Sequence, residues 1–81
     1  MKVLAKITIS KGTFEEWAVF FESYSSERQQ FIDNEKIEKV SSNEARVEFE
    51  IKNLEGLTNL SSRTDILTKE EELGVKTDII Q

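Results

Sequence analysis

Apolar and polar residues alternate from Lys2 to Ser10. Val3, Ala5, Ile7 and Ile9 fall on one side, and Lys2, Leu4, Lys6, Thr8 and Ser10 on the other, which is the period of a half-buried strand. After Lys11-Gly12 the period changes. Phe14, Trp17, Ala18, Phe21, Tyr24 and Arg28 recur at intervals of three and four and run on to Phe31 and Ile32, predicting one long helix with a wide apolar stripe. Thr13-Phe14-Glu15-Glu16 matches a capping box: the Thr13 hydroxyl accepts from the Glu16 amide, and the Glu16 carboxylate accepts from the Thr13 amide. Asp33-Asn34 is the expected stop, since Asn tolerates the left-handed conformation at a helix end. Val19 and Phe20 lie off the stripe. That predicts exposure for one or both and makes Phe20 a candidate partner contact.

Lys36 to Val40 reads as a short strand, followed by a turn at Ser41-Ser42-Asn43-Glu44. From Ala45 to Lys52 the alternation is clear, with Ala45, Val47, Phe49 and Ile51 opposite Arg46, Glu48, Glu50 and Lys52. Asn53 is placed to cap a second helix carrying Leu54, Leu57 and Leu60, in which Gly56 costs about 1 kcal/mol relative to Ala. Ser61 to Thr64 is expected to interrupt it. Thr68-Lys69-Glu70-Glu71 repeats the capping-box pattern and predicts a short helical turn ending at Leu73-Gly74. Val75 to Ile80 closes as a strand, with Val75, Thr77 and Ile79 on one face. The order β-α-β-β-α-β predicts an α+β, ferredoxin-like fold: a four-stranded antiparallel sheet, ordered 4-1-3-2, with two helices on one face.

In that arrangement the first strand lies beside Ala45–Lys52, and both apolar sets must face the helices, because a one-residue slip turns a set outward. The open face then carries Lys2, Leu4, Lys6, Thr8 and Ser10 next to Arg46, Glu48, Glu50 and Lys52. An RNA-recognition module of the same order needs aromatic residues there for base stacking. Charged residues stand in their place.

The 81 residues are expected to form one domain, residues 1–81, with 37% apolar content and a formal net charge of −5. That charge disfavours nucleic acid and acidic membrane surfaces as partners. There is no Cys and no His, so a thiol nucleophile, a thiolate or imidazole metal site and a histidine base are all excluded. No apolar run approaches the roughly 20 residues of a spanning helix, and no signal-like segment follows Met1. The expected compartment is the cytoplasm.

Candidate chemistry is sparse. Lys11-Gly12-Thr13 precedes a helix N-terminus but lacks phosphate-loop spacing. Three consecutive glutamates, Glu70 to Glu72, fan out by about 100° per residue on a helix and read as solvated surface. Asp33-Asn34-Glu35 lacks the alternating acids and Gly of a calcium loop. Ser23, Ser25 and Ser26 have no neighbouring base, and Glu48 with Lys6 reads as a cross-strand ion pair. Trp17, Phe21 and Tyr24 read as core, with a ligand pocket between helix and sheet as the alternative. No catalytic, cofactor-binding or metal-ligating residue is assigned.

Phe14-Glu15-Glu16-Trp17, Val47-Glu48-Phe49-Glu50-Ile51 leading to Asn53-Leu54, and Thr77-Asp78-Ile79 together resemble the dimeric α/β-barrel superfamily. More narrowly, they resemble a small cyanobacterial domain family of unknown function. The resemblance implies a ferredoxin-like protomer that packs sheet to sheet. The superfamily includes cofactor-free monooxygenases and haem-degrading enzymes, and the latter depend on a haem-ligating His that this chain lacks.

The resulting expectation is a small interaction or accessory protein without a cofactor. It is a homodimer whose contacts involve Leu4, Lys6, Phe20, Glu48, Glu50 and Ile80. The alternative is a cofactor-free enzyme or small-molecule sensor with its pocket between sheet and helices. A large closed pocket holding Trp17 or Tyr24 beside an unpaired carboxylate favours the alternative. A filled core and an apolar patch around Phe20 favour the first.

Overall fold

In a computed structural model, which describes residues 1–80, the first strand pairs with neighbours on both sides. The elements in chain order are β1 (Lys2–Ile9), α1 (Phe14–Ser23), α2 (Ser25–Arg28), β2 (Ile32–Ser41), β3 (Glu44–Ile51), α3 (Leu54–Ser61), α4 (Thr64–Leu73) and β4 (Val75–Ile79). The sheet order is β2-β3-β1-β4, antiparallel throughout. This is the ferredoxin-like α+β arrangement expected from the alternation. The register sets Val3 against Phe49, Ala5 against Val47 and Ile7 against Ala45, so both apolar sets do face the helices. With Trp17, Phe20, Leu60, Ile66 and Leu73 from the helical layer they make the core.

The long first helix divides. The capping box forms as expected, with Glu16 N–H donating to Thr13 Oγ1 at 3.2 Å and Thr13 N–H to Glu16 Oε1 at 3.1 Å. The helix then breaks at Tyr24 (φ −121°, ψ 24°), and only the single turn α2 follows. Ser23, Ser25 and Ser26 surround the break. Serine hydroxyls compete for backbone partners in helix interiors, and Ser23 Oγ donates to the Phe20 carbonyl at 2.5 Å.

Ile32, read as the end of the helix, begins β2 and is fully buried. Asn34 is left-handed (φ 55°), but inside β2, where the register against β3 shifts between Asp33 and Lys36. Its conformation makes a β-bulge rather than a helix end.

The C-terminal half also departs from its expected bounds. Asn53 Oδ1 caps α3 by accepting from Gly56 N–H at 3.0 Å. Gly56 has a packing role as well, because a Cβ there would collide with the Phe31 ring. The expected interruption is short, and α4 starts at Thr64, not at Thr68. The Thr68 to Glu71 match is therefore interior helix and caps nothing. Gly74 ends α4 at φ 63°, the left-handed cap that glycine adopts at least cost.

Candidate functional site: a cavity between sheet and helices

Next to the break at Tyr24, an inner cavity of about 210 Å³ lies between the sheet and the helical layer. Ala5, Ile7, Val47, Phe49, Thr77 and Ile79 form its floor. Trp17, Phe21, Tyr24 and Arg28 stand on one side of the roof, and Leu57, Leu60, Ser61 and Glu70 on the other. The aromatic wall is ordered. Trp17 stacks on Phe21 with ring centroids 4.7 Å apart, and Tyr24 meets Phe21 edge-on at 5.7 Å. Ile79 is 64% exposed although it sits on the helix side of β4, so the cavity opens along that edge strand.

Arg28 holds the wall in place. Its side chain is 4% exposed and makes a two-pronged ion pair with Glu35, Nε to Oε2 at 2.5 Å and Nη2 to Oε1 at 3.0 Å. Nη1 donates to the Phe21 carbonyl at 2.7 Å. The guanidinium lies over the Phe21 ring at 3.6 Å and the Tyr24 ring at 4.9 Å, both within cation–π range. With all three nitrogens bonded and its face over two rings, Arg28 positions the aromatic residues.

Two groups in the cavity remain chemically free. Burial pushes the Tyr24 hydroxyl up to about 12, against the pull of the Arg28 charge, so it stays a proton donor at neutral pH. The Glu70 carboxyl is also raised, and burial is the sole cause. Among the described residues its side chain has no ion pair and no hydrogen bond. A half-buried, unpartnered carboxylate lining an aromatic cavity can act as a general base. A neutral phenol beside it can donate to oxygen that becomes negative during reaction.

A wider cleft of about 630 Å³ lies on the outer side of the helical layer, bordered by Glu16, Val19, Phe20, Tyr24, Ile66 and Leu73. Its ionic groups neutralise one another. Arg63 pairs with Glu27, and with Asp65 at 2.8 Å. Among the described residues it holds no unpaired carboxylate like Glu70 beside an aromatic wall.

The residues singled out from sequence fall in two places. Leu4, Lys6, Glu48, Glu50 and Ile80 share the open sheet face. There Glu48 pairs with Lys2 at 3.2 Å and with Lys36 at 3.9 Å, Lys6 pairs with Glu44 at 3.7 Å, and Glu50 accepts from Asn34 Nδ2 at 2.8 Å. Lys6 and Glu48 are thus not each other's partners. Phe20 is on the opposite layer and 9% exposed, because the break in the helix and the full length of α4 give it a surface to pack on. It packs into the wall of the outer cleft, and the exposed residue of the pair is Val19, at 75%.

From sequence Glu70 belongs to a solvated run, whereas the structure half-buries it. The missed signal is its spacing: Ile66, Glu70 and Leu73 share one face of α4, and both neighbours are buried. A helix started at Thr68 hides that relation.

No family model matches the chain, and no curated protein does. Among solved structures, SnoaB, a cofactor-independent oxygenase from Streptomyces nogalater, superposes with a TM-score of 0.63 at 9% identity over 99% of this chain and 89% of that one. A candidate antibiotic biosynthesis monooxygenase from Deinococcus radiodurans superposes with a TM-score of 0.55 at 11% identity over 100% of this chain and 91% of that one. At such identities the fold is what is shared. The expectation of an accessory protein without catalytic chemistry is nevertheless overturned. The neighbours are named as oxygenases, and the cavity, though small and open along β4 rather than large and closed, does hold Trp17 and Tyr24 beside the unpaired Glu70.

Proposed function

We propose that the chain is a cofactor-independent oxygenase acting on a one- or two-ring compound with an acidic methylene group, bound in the inner cavity. The unpaired, half-buried Glu70 that lines one cavity with Trp17, Phe21 and Tyr24 carries this reading, and the names of the two structural neighbours support it. Size limits the substrate. An apolar cavity of roughly 150 Å³ accepts benzene, so about 210 Å³ admits a substituted single ring or a small bicycle.

The chemistry closes without an external reductant. Glu70 takes a proton from the methylene carbon, and the carbanion spreads its charge over the ring onto an oxygen to which Tyr24 donates. The carbanion gives one electron to O₂, and the two radicals combine to form a C–O bond. The peroxide takes the proton back from Glu70. Loss of water from the carbon that keeps a hydrogen leaves a carbonyl, so CH₂ and O₂ become C=O and H₂O. All four electrons come from the substrate.

The reading includes a homodimer across the open sheet face. Lys2, Lys6, Lys36, Arg46 and Lys76 are balanced there by Glu38, Glu44, Glu48, Glu50 and Asp78, with Leu4, Val40 and Ile80 as apolar contacts. Balanced signs let a two-fold axis bring opposite charges together.

Oxygen uptake by flavin-free, chelator-treated protein tests the function. Single- and double-ring substrates with activated methylenes should be consumed, at rates rising with pH as Glu70 ionises, and Glu70→Gln should lower kcat by about 10²-fold or more. Uptake unchanged in Glu70→Gln contradicts the assignment.

A further inference from the structure

The two edges of the sheet are built differently. β2 is interrupted by register shifts between Asp33 and Lys36 and again between Lys39 and Ser41, and such bulges blunt an edge against pairing with another chain. β4 has no such interruption. Its register with β1 runs without a shift from Val75 to Ile79.

Backbone alternation fixes which groups of β4 are free. Ile80 N–H donates to the Leu4 carbonyl at 2.8 Å, and the Gly74 carbonyl accepts from Ser10 N–H at 3.0 Å. The even-numbered positions therefore face β1. The N–H and C=O groups of Val75, Thr77 and Ile79 point away from the sheet, and among the described residues they have no partner.

We infer that β4 is a self-complementary edge, and that a second copy of this chain pairs with it, β4 to β4 and antiparallel, about a two-fold axis at Thr77. The side chains carry the argument. Inverting Val75-Lys76-Thr77-Asp78-Ile79 about its centre places Lys76 opposite Asp78, Asp78 opposite Lys76, and Val75 opposite Ile79. Opposite charges directly across an antiparallel pair are favourable.

The same inversion sets the outward-facing backbone groups of Val75, Thr77 and Ile79 against one another, the parity a hydrogen-bonded ladder requires. Moving the axis to residue 76 or 78 keeps that parity but opposes Lys to Lys or Asp to Asp. A guarded edge carries charge of one sign; this one carries both signs, placed symmetrically.

The pairing also bears on the cavity, since Thr77 and Ile79 line its mouth and the second strand would lie beside them, setting Val75 of one copy against the exposed Ile79 of the other. The inference stands on the edge strand alone and does not depend on the oxygenase reading.

Charge reversal with rescue tests it, read as mass by light scattering across a concentration series. Lys76→Asp and Asp78→Lys should each halve the mass of the assembly, and the double reversal should restore it. The chain has no Cys, so Thr77→Cys under mild oxidation should give a covalent dimer, whereas Glu72→Cys on the outer helix should not. The inference is overturned by a parent that stays at 9.4 kDa, by single reversals that leave the mass unchanged, or by a Thr77→Cys protein that cross-links no better than Glu72→Cys.

Discussion

Arg28 shows how a single residue can sit on an apolar stripe without being apolar. Its spacing from Trp17, Phe21 and Tyr24 places it on the inward face, and the side chain is buried as that spacing requires. Helical spacing does not reveal its partner, because Glu35 lies in β2, beyond the end of the helix. The pair is paid for by excellent geometry, two prongs plus a carbonyl. Removing one partner strands a buried charge, so Arg28→Ala should cost about 3–5 kcal/mol, whereas Arg28→Met with Glu35→Leu should lie near the parent or above it. Urea midpoints of the single and double variants check this. Glu70 was illegible for a related reason: its environment depends on where α4 begins, and a threonine three residues before a glutamate is too short a pattern to decide that.

Elements with strict periodicity were readable in full. β1 and β3 alternate cleanly, and one register satisfies both apolar sets, so the central pair and the side chains of the open face followed directly. The helices were less legible, because competing local bonds decide where they stop. At the end of α1 the Ser23 hydroxyl bonds the Phe20 carbonyl, and no amphipathic pattern reports such a bond. The two capping-box matches separate the cases. Thr13 precedes its helix and accepts from Glu16, while Thr68 lies inside α4. Thr13→Ala should therefore destabilise by about 0.5–2 kcal/mol, and Thr68→Ala should stay within about 0.5 kcal/mol of the parent. Equal shifts of the urea midpoint for both would contradict the boundaries of α4.

For the molecule as a whole, the fold was legible and the site was only half so. The aromatic wall is visible as helical spacing, but the helix break at Tyr24 beside the cavity leaves no amphipathic pattern. The open face makes its own prediction. If its balanced charges hold two copies together, Glu48→Lys should weaken the assembly more than Glu72→Lys, as read by light scattering on a sizing column; equal effects would remove the face from the interface. The central claim concerns Glu70, and its ionisation can be followed without knowing the substrate. Carboxyl ¹³C shifts, assigned by difference against Glu70→Gln, should show Glu70 titrating above the ordinary value of 4.5. The midpoint should climb further when a small aromatic compound fills the cavity and displaces water from the carboxylate. A Glu70 that titrates at 4.5 and does not respond to an aromatic ligand would contradict the account.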